Sequence, residues 1–281
     1  MAELLRGAPV AAAIREDLKG RTAALLAQGV QPRLALVRVG DKPDDLYYES
    51  SLRRGCAAIG AEAVSFALPE ACARDELINA MRRIDADPAL HGCLLLRPLA
   101  GELSSFDVYD ALCAEKDLDG MTSRSLGDLF SCRPGAFAPC TADAVMALLR
   151  HYGIDPAGKR TVILGRSLVV GRPLAQLLIE SDATVTVCHT RTVDLAAVCR
   201  EAELLISATG CPGLVDETLM RPGQIVVDIG TTAVDGVLRG DVDPAAAEAL
   251  AAAYTPVPGG VGAVTTALVL RHLVEAAERG L

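Results

Sequence analysis

The chain has 281 residues, with 27 basic and 36 acidic side chains and a net charge of −9. That acidic balance excludes a broad nucleic-acid or anionic-membrane surface, though not a local basic pocket for a phosphate. Hydrophobic residues reach 51%, enough for a sizeable core, yet no apolar run approaches the ~20 residues of a membrane span.

The opening stretch, "MAELLRGAPVAAAIREDLKG", sets charges into an apolar run at helical spacing and lacks the pattern of a signal peptide. The nine cysteines are scattered, with no CxxC pair and no histidine at metal-ligand spacing. They read as reduced, mostly core-filling thiols of a cytoplasmic protein, and no metal is implied. Next come three short apolar runs, "RLALVRVG" (33–40), "AEAVSFAL" (61–68) and "HGCLLLRPL" (91–99), expected to be strands. Amphipathic stretches at 44–59 and 73–86 separate them as helices, and this βαβαβ rhythm predicts a parallel sheet. Residues 116–141 are rich in turn formers and read as a loop lining a cleft. "TADAVMALLRHYG" follows as a helix, with Thr141 as its N-cap and Gly153 as its stop, expected to bridge two domains.

The rhythm then restarts. Strands are expected at 159–165, 183–189, 202–209 and 223–230, helices at 171–182 and 261–280. The predicted fold class is α/β with two domains, the second Rossmann-like, and a cleft between them. The expected partition is 1–140 plus 267–281 against 141–266.

"VILGRSLVVGRP" joins a buried strand to a helix, with five residues between Gly165 and Gly171. It is neither GxGxxG nor a P-loop. Small residues still admit a cofactor backbone, and helix N-terminal amides favour its phosphates; an ordinary βα turn is the alternative. The next strand ends "CHTRT", His189 to Thr192, without the carboxylate that selects NAD by its ribose hydroxyls. Arg166 and Arg191 suit a 2′-phosphate instead, so NADP is the expected cofactor, unless both are merely solvated surface arginines. In "TPVPGGVGAVTTA" (255–267), Gly259, Gly260 and Gly262 mark a loop of constrained shape. A close-passing ligand or a tight interdomain turn explains it equally.

Together these motifs resemble the bifunctional methylenetetrahydrofolate dehydrogenase and methenyltetrahydrofolate cyclohydrolase family. "VGDKPDDLYY" is similar to its VGxxPxSxxY segment, "EKDLDG" to KDxDG, "PCT" to PCTP, and "GRSLVVGRP" to GRSxxVGxP, while "TPVPGGVG" matches a family signature. The resemblance covers nearly the whole chain. It implies a folate-holding N-terminal domain, an NADP-holding second domain, a tetrahydrofolate derivative as substrate and a homodimer. It implies oxidation of a methylene bridge by hydride transfer, then hydrolysis of the methenyl product.

Carried over residue by residue, the resemblance makes Tyr48 the family's catalytic tyrosine and Asp119 its pterin-binding aspartate. It assigns Gly165, Arg166, Ser167, Gly171, His189, Arg191 and Thr232 to the cofactor. Pro258, Gly259 and Gly260 join Tyr48 and Asp119 at the substrate. Two catalytic positions depart from the pattern. Leu52 stands where the family has lysine, and "LLRPLA" replaces VQLPLP, putting Leu96 at the glutamine. Further departures are Asp45, Ala142, Ala144, Thr231, Thr232, Ala263 and Val264.

Leucines neither give nor take protons, and general acid–base help is worth about 10²–10⁴-fold. The expectation is an NADP-dependent methylenetetrahydrofolate dehydrogenase whose cyclohydrolase activity is lost or strongly reduced. The alternatives are an oxidoreductase recruited to a non-folate substrate and a non-catalytic folate- or nucleotide-binding paralogue.

Overall fold

The computed structural model describes residues 2–280. In chain order the strands are β1 (Glu3–Leu4), β2 (Arg33–Val39), β3 (Glu62–Leu68), β4 (Gly92–Leu95), β5 (Arg160–Leu164), β6 (Thr184–Cys188), β7 (Leu204–Ser207), β8 (Ile225–Asp228), β9 (Thr232–Val234), β10 (Val237–Arg239) and β11 (Ala253–Tyr254). The helices are α1 (Gly7–Ala27), α2 (Pro43–Ile59), α3 (Arg74–Ala86), α4 (Phe106–Tyr109), α5 (Ser123–Phe130), α6 (Cys140–His151), α7 (Gly171–Glu180), α8 (Leu195–Glu201), α9 (Pro244–Leu250) and α10 (Gly262–Arg279). These residues divide into two compact units, one holding Ala12–Cys140 and the chain from Thr266 on, the other the segment up to Ala11 and Thr141–Thr265.

The first unit contains a parallel three-stranded sheet ordered β3-β2-β4. Its central strand pairs on both sides, so Leu34 through Val37 are wholly buried and the run is continuously apolar. Helix α2 starts on Pro43 with Asp44 and Asp45 in its first turn, where the helix dipole favours acids. It stops at Gly60, whose φ of 83° makes the left-handed cap. Its inward face carries Glu49, Leu52, Cys56 and Ile59. Gly55 lies against Leu270 of α10, 3.0 Å from where a β-carbon would stand. At the far end of α3, the Lys116 ammonium donates to the carbonyls of Ile84, Asp85 and Asp87, orphan acceptors of a helix end.

The second unit is a six-stranded sheet ordered β1-β11-β8-β7-β5-β6, every pair parallel. The chain reverses direction across the sheet at β5, whose neighbours are β6 and β7. In such sheets ligands bind outside the carboxyl ends of the strands at this switch point. A hairpin of β9 and β10 stands apart from the sheet.

Several expectations are corrected. The run 91–99 is strand only to Leu95; the Leu96 amide still donates to Val37 O, and Pro98, lacking an amide, cannot extend the ladder. The expected loop at 116–141 contains α5, capped by the Thr122 hydroxyl, which accepts from the Ser125 amide at 3.0 Å. Helix α6 already begins at Cys140, so Thr141 lies inside it. The segment through β1 belongs with the second unit, because β1 pairs with β11, whereas the sequence reading placed it in the first. Among the described residues no helix is long and apolar enough to cross a membrane, and no cluster of three metal-ligating side chains occurs.

Candidate functional site

In the first unit the 116–123 turn is built to hold one carboxylate in place. Lys116 is stapled to α3 as described. Asp117 is buried and accepts from the Thr122 amide and the Ser125 hydroxyl, both at 2.7 Å. Burial nonetheless pushes its carboxyl above the ordinary range. Gly120 has a φ of 58°, and a β-carbon there would sit 2.4 Å from Phe137 O. Only glycine meets both demands. Between these pins stands Asp119. Its Oδ1 accepts the Cys140 amide at 2.9 Å, at the start of α6, where a negative charge is favoured.

Asp119 Oδ2 accepts from a second group, the Arg97 guanidinium. Arg97 also directs Nη1 at Met121 Sδ, 3.2 Å away. This ion pair is partly buried, with side chains 18% and 16% exposed. The sequence reading missed Arg97. The signal was present: it sits beside Leu96, in the position where VQLPLP carries leucine.

Tyr48 belongs to the same cluster. Its hydroxyl is hydrogen-bonded to the Thr266 side chain, and burial first, then Cys140 and Asp119, hold its phenol well above its ordinary value, with Arg97 opposing. It therefore keeps its proton at neutral pH. Leu52, one turn on, is 0% exposed, and Leu96 is 5% exposed. Both leucines are thus part of the core. Cys140 is buried too, its sulfur 3.2 Å from Leu118 O and 3.5 Å from His272 Nδ1.

In the second unit, the β5–α7 turn needs its glycines. Gly165 has a φ of 112°, and its missing β-carbon would lie 2.4 Å from Ala208 O. A β-carbon on Gly171 would be 2.2 Å from Gly165 O. The two loops at the switch point are therefore packed backbone to backbone. Arg166 and Ser167 are exposed on this turn, and the Ser167 hydroxyl accepts from the Val170 amide at 3.1 Å.

At the end of β6 the chain folds into a tight turn. The His189 amide donates to the Thr192 hydroxyl at 2.9 Å, and His189 Nδ1 accepts the Arg191 amide at 3.1 Å. In a neutral imidazole that bond leaves the proton on Nε2. Arg191 is exposed, and among the described residues neither it nor Arg166 is paired with a carboxylate. Thr232 donates to Gly210 O at 3.2 Å, linking β9 to the loop after β7.

That loop is held from beneath by residues the sequence reading also passed over. Asp241 Oδ2 accepts from the Ser207 and Thr209 hydroxyls and the Thr209 amide, at 2.7–2.9 Å. Asp228 accepts from the amides of Gly230, Asp241 and Val242. Burial raises its carboxyl from 3.8 to about 6, with Asp241 adding to the rise. Their signal was an acid closing the apolar run of "VVDIG" and another beside Val242 in "RGDVD".

Pro258, Gly259 and Gly260 lie in the second unit, whereas Tyr48 and Asp119 lie in the first. The glycine requirement there is met by the chain itself. Gly259 has a φ of 103° and its carbonyl accepts the Gly7 amide at 2.8 Å. A β-carbon on Gly7 would stand 2.1 Å from Gly260 O. The loop's shape is thus a packing demand within one unit, not evidence of a ligand.

Comparison with known proteins agrees with this geometry. The model of the tetrahydrofolate dehydrogenase/cyclohydrolase catalytic domain matches residues 5–119, and that of the same family's NAD(P)-binding domain matches 139–281. The bifunctional protein FolD of Carboxydothermus hydrogenoformans is 45% identical over 281 residues, which cover 99% of this chain and 98% of that one. Among solved structures, the bifunctional FolD enzyme of Campylobacter jejuni matches with a TM-score of 0.97 at 36% identity, over 100% of both chains. The FolD of Trypanosoma brucei, solved with NADP and an inhibitor, matches with a TM-score of 0.93 at 35% identity, over 99% of this chain and 98% of its own. With both halves matched and relatives of this identity spanning its length, the chain belongs to the tetrahydrofolate dehydrogenase/cyclohydrolase family.

Proposed function

We propose that the protein oxidises methylenetetrahydrofolate to methenyltetrahydrofolate with NADP and hydrolyses the product slowly or not at all. The observation that carries the second half is the burial of Leu52 and Leu96, at 0% and 5% exposure, where the family pattern has lysine and glutamine. The retained Asp119 and the close-packed Gly165–Ala208 contact support the first half.

The cofactor would be held in the second unit. The turn that admits no β-carbon at Gly165 or Gly171 fits a dinucleotide backbone at the start of α7, and the unpaired Arg166 and Arg191 fit a ribose 2′-phosphate. When bound, NADP supplies a nicotinamide ring that accepts the hydride from the methylene carbon, leaving the methenyl cation. No proton need move in that step, so it asks the protein chiefly for position. Asp119 supplies it by accepting the donors of the pterin edge, and the packed turn around it keeps that carboxylate fixed.

Hydrolysis asks for more. Water must add to the methenyl carbon and release one proton, and as the C–N bond breaks the hydroxyl proton of the adduct must reach the ring nitrogen while the formyl C=O forms. Leu52 and Leu96 have nothing to offer. Tyr48 keeps its proton at neutral pH and is poor as a base.

The test is to mix purified protein with methylenetetrahydrofolate and NADP, then NAD, and to follow reduced cofactor and methenyl product by absorbance. NADP reduction faster than NAD reduction, with accumulating methenyl product, is expected. No reduction of either cofactor overturns the dehydrogenase reading.

A further inference from the structure

We propose that Arg97 is a substrate-positioning residue, reading the one acceptor on the pterin edge whose donors Asp119 takes; this rests on Asp119 being the pterin anchor. A carboxylate offers about four lone-pair positions. Asp119 spends two, on Arg97 and on the Cys140 amide, and two remain. A guanidinium offers five N–H donors. Arg97 spends one on Asp119 and points another at the weak sulfur acceptor of Met121. Both side chains are partly open to solvent, so the unspent positions are reachable.

The pair therefore presents two acceptor positions beside free donors. The edge of a 2-amino-4-oxo pteridine runs in the complementary order: the O4 acceptor, the N3–H donor, the 2-amino donor. With N3–H and the amino group on Asp119, O4 falls toward Arg97. The flank lined by Met81, Tyr109 and Leu112 holds a cavity of only about 20 Å³, room for a water and not for a ring. The ring must approach from another side, and Tyr48 is the further polar group near Asp119. An arginine here also answers the chemistry removed nearby. With Leu52 and Leu96 buried, the guanidinium is the cation left next to Asp119.

A purely structural ion pair makes a different prediction from a reading one. The experiment measures binding of tetrahydrofolate and of its 4-amino analogue, which carries a donor in place of O4 and no proton on N3, to wild type, Arg97→Leu and Arg97→Lys by calorimetry. Wild type is expected to favour the 4-oxo compound, and Arg97→Leu to bind it roughly tenfold more weakly or worse, the size of a lost charged hydrogen bond. The 4-oxo preference should shrink in Arg97→Leu to the part that Asp119 sets through N3–H, and shrink less in Arg97→Lys, while kcat for NADP reduction changes far less than KM. Tighter 4-oxo binding by Arg97→Leu would make Arg97 a plug on Asp119 and overturn the proposal, as would an unchanged 4-oxo to 4-amino ratio. If Arg97→Leu fails to fold, loss or retention of the ratio in Arg97→Lys decides alone: full retention of wild-type affinity and ratio counts against a read geometry, partial loss for it. A wild type that binds neither compound overturns the Asp119 anchor itself, whereas wild-type turnover with an unmoved ratio overturns only the role of Arg97.

Discussion

Tyr48 and Leu52 stand one turn apart on α2, and only the tyrosine reaches a polar partner: its hydroxyl bonds to Thr266, while Leu52 is fully buried. A lysine at position 52 would come off the same helix face as the tyrosine. Restoring both polar groups, by Leu52→Lys with Leu96→Gln, should raise methenyl hydrolysis by about 10²-fold, the low end for general acid–base catalysis. Stopped-flow absorbance of the methenyl compound measures it. A folded double variant with no gain would show that something other than these leucines limits hydrolysis.

Cofactor choice is proposed to rest on Arg166 and Arg191, neither paired with a carboxylate among the described residues. Arg191→Glu should raise KM for NADP by roughly tenfold or more, since a charged hydrogen bond is lost and a repulsion added, and should leave KM for NAD little changed. Steady-state rates with each cofactor check this. Equal losses for both cofactors would mean that Arg191 does not face the 2′-phosphate.

Gly165→Ala tests the switch-point packing. The backbone φ of 112° is strained for any L side chain, and the new methyl would collide with Ala208 O at 2.4 Å. The variant should lose at least about 2 kcal/mol of stability and its NADP binding together. Denaturant melts and cofactor titration read the two losses; a variant as stable as wild type would contradict the geometry.

Asp228 predicts a pH dependence whose sign follows from its raised carboxyl. The unfolded group loses its proton near 3.8 and the folded one near 6. Between those values the folded state holds more protons, so this group's contribution falls as pH rises and is lost above about 6. The whole change is at most roughly 3 kcal/mol. Melts of wild type and Asp228→Asn should show the wild type gaining relative to the variant between about pH 7 and about pH 4, because the asparagine does not titrate. A constant difference would show that Asp228 ionises alike in both states.

How much of this was legible in the sequence depended on what each residue must do locally. The apolar runs of β2, β5, β7 and β8 announce buried parallel strands, because both their faces are covered. Gly165 and Gly171 were readable as backbone demands, and the structure supplies the atoms they avoid. Short edge elements such as β1 and β11 carry two residues each and no periodicity, so their pairing cannot be seen before the chain is folded. Helix α5 was hidden by Gly127 and by serines, and it stands because Thr122 caps it while Asp110 holds Ser123. The site was half visible. The family resemblance pointed to Tyr48, Leu52 and Asp119, but the partner of Asp119 lies 22 residues away, and only tertiary structure brings Arg97 to it.

Proton transfer at the buried leucines is what separates a dehydrogenase from a bifunctional enzyme here. Pure methenyltetrahydrofolate should be incubated with and without the enzyme, and its decay followed by absorbance across neutral pH. Decay close to the uncatalysed rate is expected, while the same preparation reduces NADP with methylenetetrahydrofolate. Rapid enzyme-dependent opening of the methenyl ring would contradict it.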